Sequence, residues 1–122
     1  PHYKICYEHS QDCVAQYFGI DLTCISKTAM DTIDCKSGKT ALFWDRAEKY
    51  WYITIRKDAL TSYRKHNTHF MHVSPKGDVF VFFNKKDLHD LILNKRVELI
   101  PDEYGDRIKV QDELKAISIT NL

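Results

Sequence analysis

The amino-acid sequence predicts a single α/β (α+β) domain, built on a mixed β-sheet with flanking helices. The chain has 122 residues, 43% of them hydrophobic, which is enough to bury one sizeable core without a structural metal or disulfides. Short apolar runs bounded by turn residues alternate with segments whose apolar residues recur every three to four positions. Strands and helices therefore follow one another in the order α-β-β-β-α-β-β-α.

The N-terminal segment is predicted as one amphipathic helix over residues 3–18. Its apolar residues recur at roughly the helical period, and Gly19 stands where a helix C-cap is expected. The alternative is a short strand over Tyr3–Tyr7, followed by a helix that starts near Ser10. The single helix is favoured.

A β-hairpin is predicted next, because runs rich in β-branched residues flank a four-residue connection at 27–30. The two strands of this hairpin are predicted at 20–26 and 31–36. The elements that follow are a strand at 50–55, a helix at 57–65, strands at 69–73 and 79–83, and a helix at 85–93. Asn84 is expected to be the N-cap of that last helix. Residues 40–48 are ambiguous. The core is expected over about residues 3–93, followed by a C-terminal extension, residues 94–122, with short strands near 97–100 and 107–110 and a helical end.

The composition excludes several classes of protein. Eighteen Lys and Arg against 17 Asp and Glu give a net charge of +1, so a nucleic-acid surface would have to come from local clustering of charge. The sequence has no apolar run near 18 residues, which argues against a membrane span. Its four cysteines, at 6, 13, 24 and 35, form no C-x-x-C pair and are interpreted as free, largely buried thiols. Since a signal peptide is not evident either, an intracellular location, cytoplasmic or nucleoid-associated, is expected.

The predicted hairpin carries a cluster with a chemical use. Asp34 and Lys36 are two residues apart on one strand, so they point to the same face, and Asp21 can reach that end from the partner strand. Two carboxylates and a backbone carbonyl suit Mg²⁺, which activates a bound water and offsets charge on a phosphate. A neighbouring lysine can orient the attacking water. The cluster therefore indicates phosphodiester hydrolysis, and the competing interpretation is a surface salt bridge of Asp34 with Lys36 or Lys27.

The pattern Asp21-(x)12-Asp34-Cys35-Lys36 resembles the active-site hairpin of the PD-(D/E)XK (restriction-endonuclease-like) nuclease superfamily. The predicted order of elements over residues 3–93 is similar to the core of that superfamily. The chain departs from the pattern in having Ile20 rather than proline before Asp21, and Asp34 where glutamate is commoner. A second acid-x-Lys triplet, Glu113-Leu114-Lys115, has no paired acid and is assigned no role.

The resemblance implies a restriction-endonuclease-like fold and a Mg²⁺- or Mn²⁺-dependent endonuclease. Asp21 and Asp34 would be metal ligands, and the carbonyl of Cys35 would be a third. Lys36 would hold or activate the nucleophilic water. Members often carry a further acid on the first helix, for which Glu8 is the candidate and Asp12 the competitor.

The expected partner is DNA, with RNA as the alternative, and the chain is expected to dimerise or to belong to a larger protein. Basic residues suited to phosphate contacts gather around the second helix and its neighbours. Those assigned to nucleic-acid binding are Lys39, Arg56, Lys57, Arg64 and Lys65. The aromatic residues at 50–52 are assigned to the core rather than to base stacking.

Two other functions compete with the nuclease. One is a non-catalytic nucleic-acid-binding module of the same fold, and the other is a protein-interaction or inhibitor domain. A histidine metal site or HNH-type nuclease at 66–72 is disfavoured, because a spacing of three places His69 and His72 on opposite faces of a strand. His72 is assigned to a strand edge or to the substrate groove.

Overall fold

The computed structural model describes residues 3–110 and 117–118, and these form an α+β fold made mostly of β-strands. The elements are β1 (Ile5–Glu8), α1 (Cys13–Tyr17), β2 (Leu22–Ile25), β3 (Met30–Ser37), β4 (Leu42–Asp45), β5 (Tyr50–Ile55), α2 (Lys57–Thr61), β6 (His69–Val73), β7 (Val79–Asn84), α3 (Lys85–Leu93), β8 (Ile100–Asp102), β9 (Gly105–Lys109) and β10 (Ile117–Ser118).

The strands form two sheets rather than the single mixed sheet that the sequence predicts. The first sheet has the order β1-β2-β3-β6-β7-β10, in which β3 and β6 are parallel and the other neighbours are antiparallel. The second sheet is antiparallel, with the order β4-β5-β9-β8. The predicted strand at 50–55 therefore belongs to a different sheet from the hairpin, and the prediction lacks β1 and β4. The short strands predicted near 97–100 and 107–110 correspond to β8 and β9, which lie in the second sheet.

Side chains from both sheets pack into one core, which α3 closes through Leu88. Apolar burial of this kind is the main favourable contribution to folding. The buried residues of this core are Leu42, Ile53, Ile55, Phe70, Val81, Phe83, Leu88, Ile108 and Val110. Because Ile108 and Val110 come from the predicted C-terminal extension, that extension completes the second sheet and the core.

The predicted helix over residues 3–18 is wrong. The segment forms β1, whose Cys6 lies directly opposite Cys24 of β2, and the two are joined by a disulfide. The α1 helix begins only after Asp12, whose carboxylate accepts hydrogen bonds from the backbone N–H groups of Val14 and Ala15. The apolar spacing fits a helix, but pairing with the free edge of β2 satisfies the backbone of residues 5–8 instead.

The disulfide also corrects the interpretation of four free thiols. Cys6 and Cys24 are bonded, whereas Cys35 is free and half-buried and Cys13 is free and exposed. The two bonded residues are far apart in the sequence and become neighbours only through the β1–β2 register.

The later elements follow the sequence closely. Strands β5 and β6 and helix α3 have the predicted bounds, and Asn84 caps α3 by accepting a hydrogen bond from the N–H of Asp87 at 3.0 Å. Helix α2 ends at Thr61, earlier than predicted, and the ambiguous 40–48 segment contains β4. The predicted helical end and Glu113-Leu114-Lys115 lie outside the described residues, apart from 117–118, which are a strand. In the part of the chain that is described, no helix has the length and apolar character needed to cross a bilayer.

Candidate functional site

The β2–β3 hairpin brings Asp21, Asp34 and Lys36 together. Leu22 pairs with Ile33, so Asp21 stands opposite Asp34 at the end of the pair. The Lys36 Nζ atom lies 3.3 Å from Asp34 Oδ1, and the N–H of Cys35 donates to Asp21 Oδ2 at 2.7 Å.

Asp34 is a buried acid, which is unusual for a carboxyl group outside a functional site. Its side chain is 8% exposed, whereas that of Lys36 is 51% exposed. Burial raises the pKa of Asp34 from 3.8 to about 6; the Lys36 ammonium opposes that rise, and the Asp21 carboxyl adds to it by its hydrogen bond and charge. A surface salt bridge therefore does not describe the pair, because Asp34 is withdrawn from water.

Asp34 and Lys36 line a cleft of about 320 Å³ between the inner faces of the two sheets. Arg64 and Lys65, from the segment after α2, and Arg56, just before α2, line the same cleft. Arg56 is itself within 3.7 Å of Asp58. A cleft with several cations near a buried carboxyl group is suited to a phosphate-bearing ligand.

His72 lies at the floor of this cleft, where the parallel pairing of β3 with β6 puts it beside Lys36. It is 1% exposed, and its Nδ1 donates a hydrogen bond to the carbonyl of Ala41 at 2.8 Å. Burial lowers the pKa of His72 from 6.5 to about 4, so the ring is neutral at pH 7. Its Nε2 is then an acceptor, and it has no hydrogen-bond partner among the described residues.

Thr54 adds a second unsatisfied polar atom to the cleft. Its Oγ1 is buried, lines the same space and has no partner within the described part of the chain. Buried polar atoms are nearly always hydrogen-bonded in folded proteins. Two such atoms in one cleft indicate a place for water or a polar ligand.

Lys85 is a partly buried lysine whose charge interacts with that of Asp34. It opens α3, and its Nζ donates to the carbonyl of Lys65 at 2.9 Å and reaches Oδ1 of the buried Asn67 at 3.5 Å. Burial lowers the pKa of Lys85, while the charge of Asp34 counteracts the fall. The sequence signal for Lys85 is only its position after the N-cap, where a lysine is unremarkable, so the signal could not have identified it.

Glu8 does not lie where the resemblance implies. It is exposed and belongs to β1 rather than to a helix, and it pairs with Leu22, whose partner is Ile33. Successive strand residues point to opposite faces, so Glu8 is on the face away from Asp34. Asp12 is occupied as the N-cap of α1. Neither acid joins the carboxyl pair.

The predicted basic residues divide between two places. Arg56, Arg64 and Lys65 line the cleft, whereas Lys39 lines a separate groove beside Trp44 and Trp51. The side chain of Lys57 lies outside the described part of the structure.

The aromatic residues at 50–52 and the histidines of β6 differ in which side of their strands they occupy and in how far they are buried. In the 50–52 segment, Tyr52 is buried and Trp51 packs on the core as predicted, but Tyr50 is exposed. His69 and His72 face opposite sides of β6.

The Cys35 thiol is not suited to nucleophilic chemistry. Burial raises its pKa to about 11, and the charges of Asp21 and Asp34 add to the rise. A thiol reacts as its thiolate, so Cys35 stays protonated at neutral pH. Its backbone, by contrast, lies between the two acids.

Carboxylate and carbonyl oxygens, which the two acids and the Cys35 backbone carry, are the ligand type that a hard divalent cation prefers. Mg²⁺ is commonly held by one or two carboxylates, with waters and substrate phosphates completing its octahedron. A divalent cation would also relieve the repulsion between two adjacent ionised acids. Within residues 3–110 and 117–118, no group of three His, Cys, Asp or Glu side chains is placed to hold a metal ion. Such a site would therefore depend on the backbone carbonyl, water and the substrate.

Comparisons with protein-family models, with curated proteins and with solved structures find no significant match to this chain.

Proposed function

We propose that this protein is a metal-dependent nuclease of restriction-endonuclease-like architecture, which hydrolyses phosphodiester bonds in DNA through an activated water. The observation that carries the proposal is the buried Asp34 carboxyl, which stands opposite Asp21 and has the Lys36 ammonium at 3.3 Å, at one side of a cationic cleft. A buried carboxyl group with a raised pKa is costly to a fold, and such groups cluster at active sites.

Asp21, Asp34 and the Cys35 carbonyl would hold a Mg²⁺ or Mn²⁺ ion. When bound, the ion supplies a water of lowered pKa and a counter-charge for the phosphate. The chain's own residues do the rest: Arg64 and Lys65 hold the phosphate backbone, and Lys36 orients the water that attacks the phosphorus.

His72 has a supporting role in this proposal. His72 pairs with Lys36 in the β3–β6 register and its neutral Nε2 has no hydrogen-bond partner among the described residues, so we propose that Nε2 accepts a hydrogen bond from the Lys36 ammonium and fixes the direction of that side chain. With a pKa of about 4 it is a poor general base at neutral pH. We therefore treat His72 as a positioning residue.

The test is a cleavage panel of single-stranded DNA, duplex, flap, four-way junction and RNA, each with Mg²⁺, Mn²⁺ or EDTA. The proposal expects cleavage with either metal and none with EDTA. Asp34→Asn and Lys36→Met should abolish it, while Lys27→Met, in the exposed turn of the same hairpin, should cleave as the wild type does. Metal-independent cleavage, or full activity of Asp34→Asn, would refute it.

A non-catalytic nucleic-acid-binding module is the second candidate. It is favoured because the polar side chains of the candidate site already have partners within the chain. Asp21 accepts a hydrogen bond from the N–H of Cys35, and Asp34 forms an ion pair with Lys36. Under this alternative, DNA binding is salt-sensitive and survives both substitutions, and none of the substrates in the panel is cut. A protein-interaction or inhibitor domain would bind neither metal nor DNA.

A further inference from the structure

A second concave surface opens at the side of the molecule, which we call the tryptophan groove and define by Phe43, Trp44, Trp51 and the cations Lys39, Arg46 and Lys76. Its volume is about 680 Å³. One wall is the β4–β5 pair of the second sheet, and the other is the turn between β6 and β7. This surface is not part of the cleft.

Two tryptophans form the aromatic wall. Trp44 and Trp51 are directly opposite each other across β4 and β5, with ring centroids 5.5 Å apart at 65°. Trp51 packs against the core, whereas Trp44 lies on an edge strand and is 47% exposed. Trp51 therefore fixes one side of the Trp44 ring, and the other side is presented to solvent.

The charge around these rings is mostly positive. Lys39, Arg46 and Lys76 are exposed at the groove. Among the described residues that line it, the one acid is Asp78, which accepts a hydrogen bond from Ser74 Oγ at 2.8 Å. Cations around an exposed indole match a ligand that has both a flat ring and negative charge. Single-stranded nucleic acid has this combination in every nucleotide, since its bases stack on aromatic rings and its phosphates pair with Lys and Arg.

The groove is close to the cleft along the chain. Lys39 lines the groove and Thr40 lines the cleft, and on β5 Trp51 lines the groove whereas Thr54 lines the cleft. Because Lys39 and Thr40 are consecutive residues, the groove and the cleft approach each other at this point, and an unpaired strand bound in the groove can extend towards the cleft.

We infer that the tryptophan groove binds a short unpaired segment of a nucleic-acid strand, with a base stacked on Trp44 and phosphates paired with Lys39, Arg46 and Lys76. The inference rests on the proposed function in one respect, which is that the nucleic-acid strand bound in the groove is cleaved in the cleft. It makes the substrate class of the cleft a nucleic acid with an unpaired segment, such as a flap or an overhang, rather than a blunt duplex.

The test measures binding of the full chain in EDTA to labelled oligothymidine and oligouridine of about 12 nucleotides, and to a blunt duplex of equal length. The single strands should quench tryptophan fluorescence and bind more tightly than the duplex. Comparison of the DNA and RNA oligomers shows which sugar the groove accepts. Duplex binding that equals or exceeds single-strand binding, or no nucleic-acid binding at all, as for a protein-docking groove, would overturn the inference.

The variants separate stacking from charge. Trp44→Ala should weaken single-strand binding by about 10-fold or more, and Trp44→Phe should retain most of it. Tyr7→Ala is the matched control, because Tyr7 is an equally exposed aromatic (50%) on β1, outside the groove. Lys76→Ala should reduce the salt dependence of binding by about one phosphate contact, a slope change of about 0.7. Thermal melts check that each variant is folded, and wild-type binding by a folded Trp44→Ala would refute the stacking role.

Failure of this inference differs from failure of the proposed function. If the wild type cleaves flaps and Trp44→Ala binds and cleaves them equally well, only the groove is refuted. If nothing is cleaved but binding depends on Trp44, the groove stands and the nuclease is refuted.

Discussion

Asp34→Asn should make the metal-free protein more stable at pH 8, although it removes a residue of the proposed site. The asparagine side chain resembles a protonated carboxyl in size and shape, so it fills the same place beside Asp21 without carrying a buried charge. The pKa of Asp34 rises from 3.8 in an ordinary environment to about 6 in the folded chain, which corresponds to about 3 kcal/mol. This is the free energy that ionised Asp34 costs the fold.

The sign of the effect follows from proton binding. Between pH 3.8 and about 6 the native state binds more protons at Asp34 than the unfolded state does. The stabilisation by protonated Asp34 is therefore fully present below about pH 3.8 and is lost as the pH rises through about 6. The variant lacks this dependence, so its advantage over the wild type should be near zero at pH 4 and greatest above pH 7.

The assay is urea unfolding in EDTA at several pH values between 4 and 8, followed by tryptophan fluorescence. We expect a gain for the variant of about 2–3 kcal/mol at pH 8, or roughly 10 °C in the melting temperature. Asp90→Asn, at an exposed carboxyl on α3, is the control and should change stability by less than about 0.5 kcal/mol. A variant that is less stable than the wild type at pH 8, or a gain that does not vary with pH, would refute the reasoning.

Three further predictions concern residues around the cleft and sheets. His72→Phe should lower kcat by about 10-fold or more with little change in KM. His72→Gln should recover part of the lost kcat, since only the glutamine retains an acceptor for Lys36. A rise in KM alone would contradict the positioning role. Reducing the Cys6–Cys24 disulfide with dithiothreitol should lower the free energy of unfolding by about 3 kcal/mol, measured in urea, and should leave cleavage intact because the bond joins β1 to β2 away from the cleft. Gly105→Ala should cost at least about 2 kcal/mol in the same assay, because its φ is +147° and a Cβ there would lie 2.6 Å from the Ile55 carbonyl oxygen. Gly77→Ala, with φ +73° and open space around it, is the control and should cost only about 1 kcal/mol.

Local signals in the sequence were sufficient for some elements and not for others. The strand Tyr50–Ile55 and the helix Lys85–Leu93 have the predicted bounds, because a β-branched and aromatic run and an Asn cap act within a few residues. The 3–18 segment fits both the helical and the strand period in places, so local pattern cannot decide it. Its pairing with β2 does, and that contact is not local.

The residues of the candidate site also divide into those that local sequence pattern predicts and those that depend on contacts between distant segments. Alternation along one strand is enough to put Asp34 and Lys36 on one face, and a hairpin is enough to bring Asp21 to them. His72 is brought beside Lys36 by the parallel pairing of β3 with β6, and Lys85 is brought within range of the Asp34 charge by the position of α3. No local pattern in the sequence encodes either contact. The second sheet was missed for the same reason, because β5 and β9 are distant in sequence.

The parallel contact between β3 and β6 has a consequence for the order in which the protein matures on the ribosome. A growing chain contains Asp21, Asp34 and Lys36 long before His72 and the strand that carries it have been made. Contacts between distant parts of a sequence also form late in folding. The hairpin that carries these residues therefore cannot contact His72 until β6 has been synthesised, so the arrangement that we propose as a nuclease site is completed only after that point.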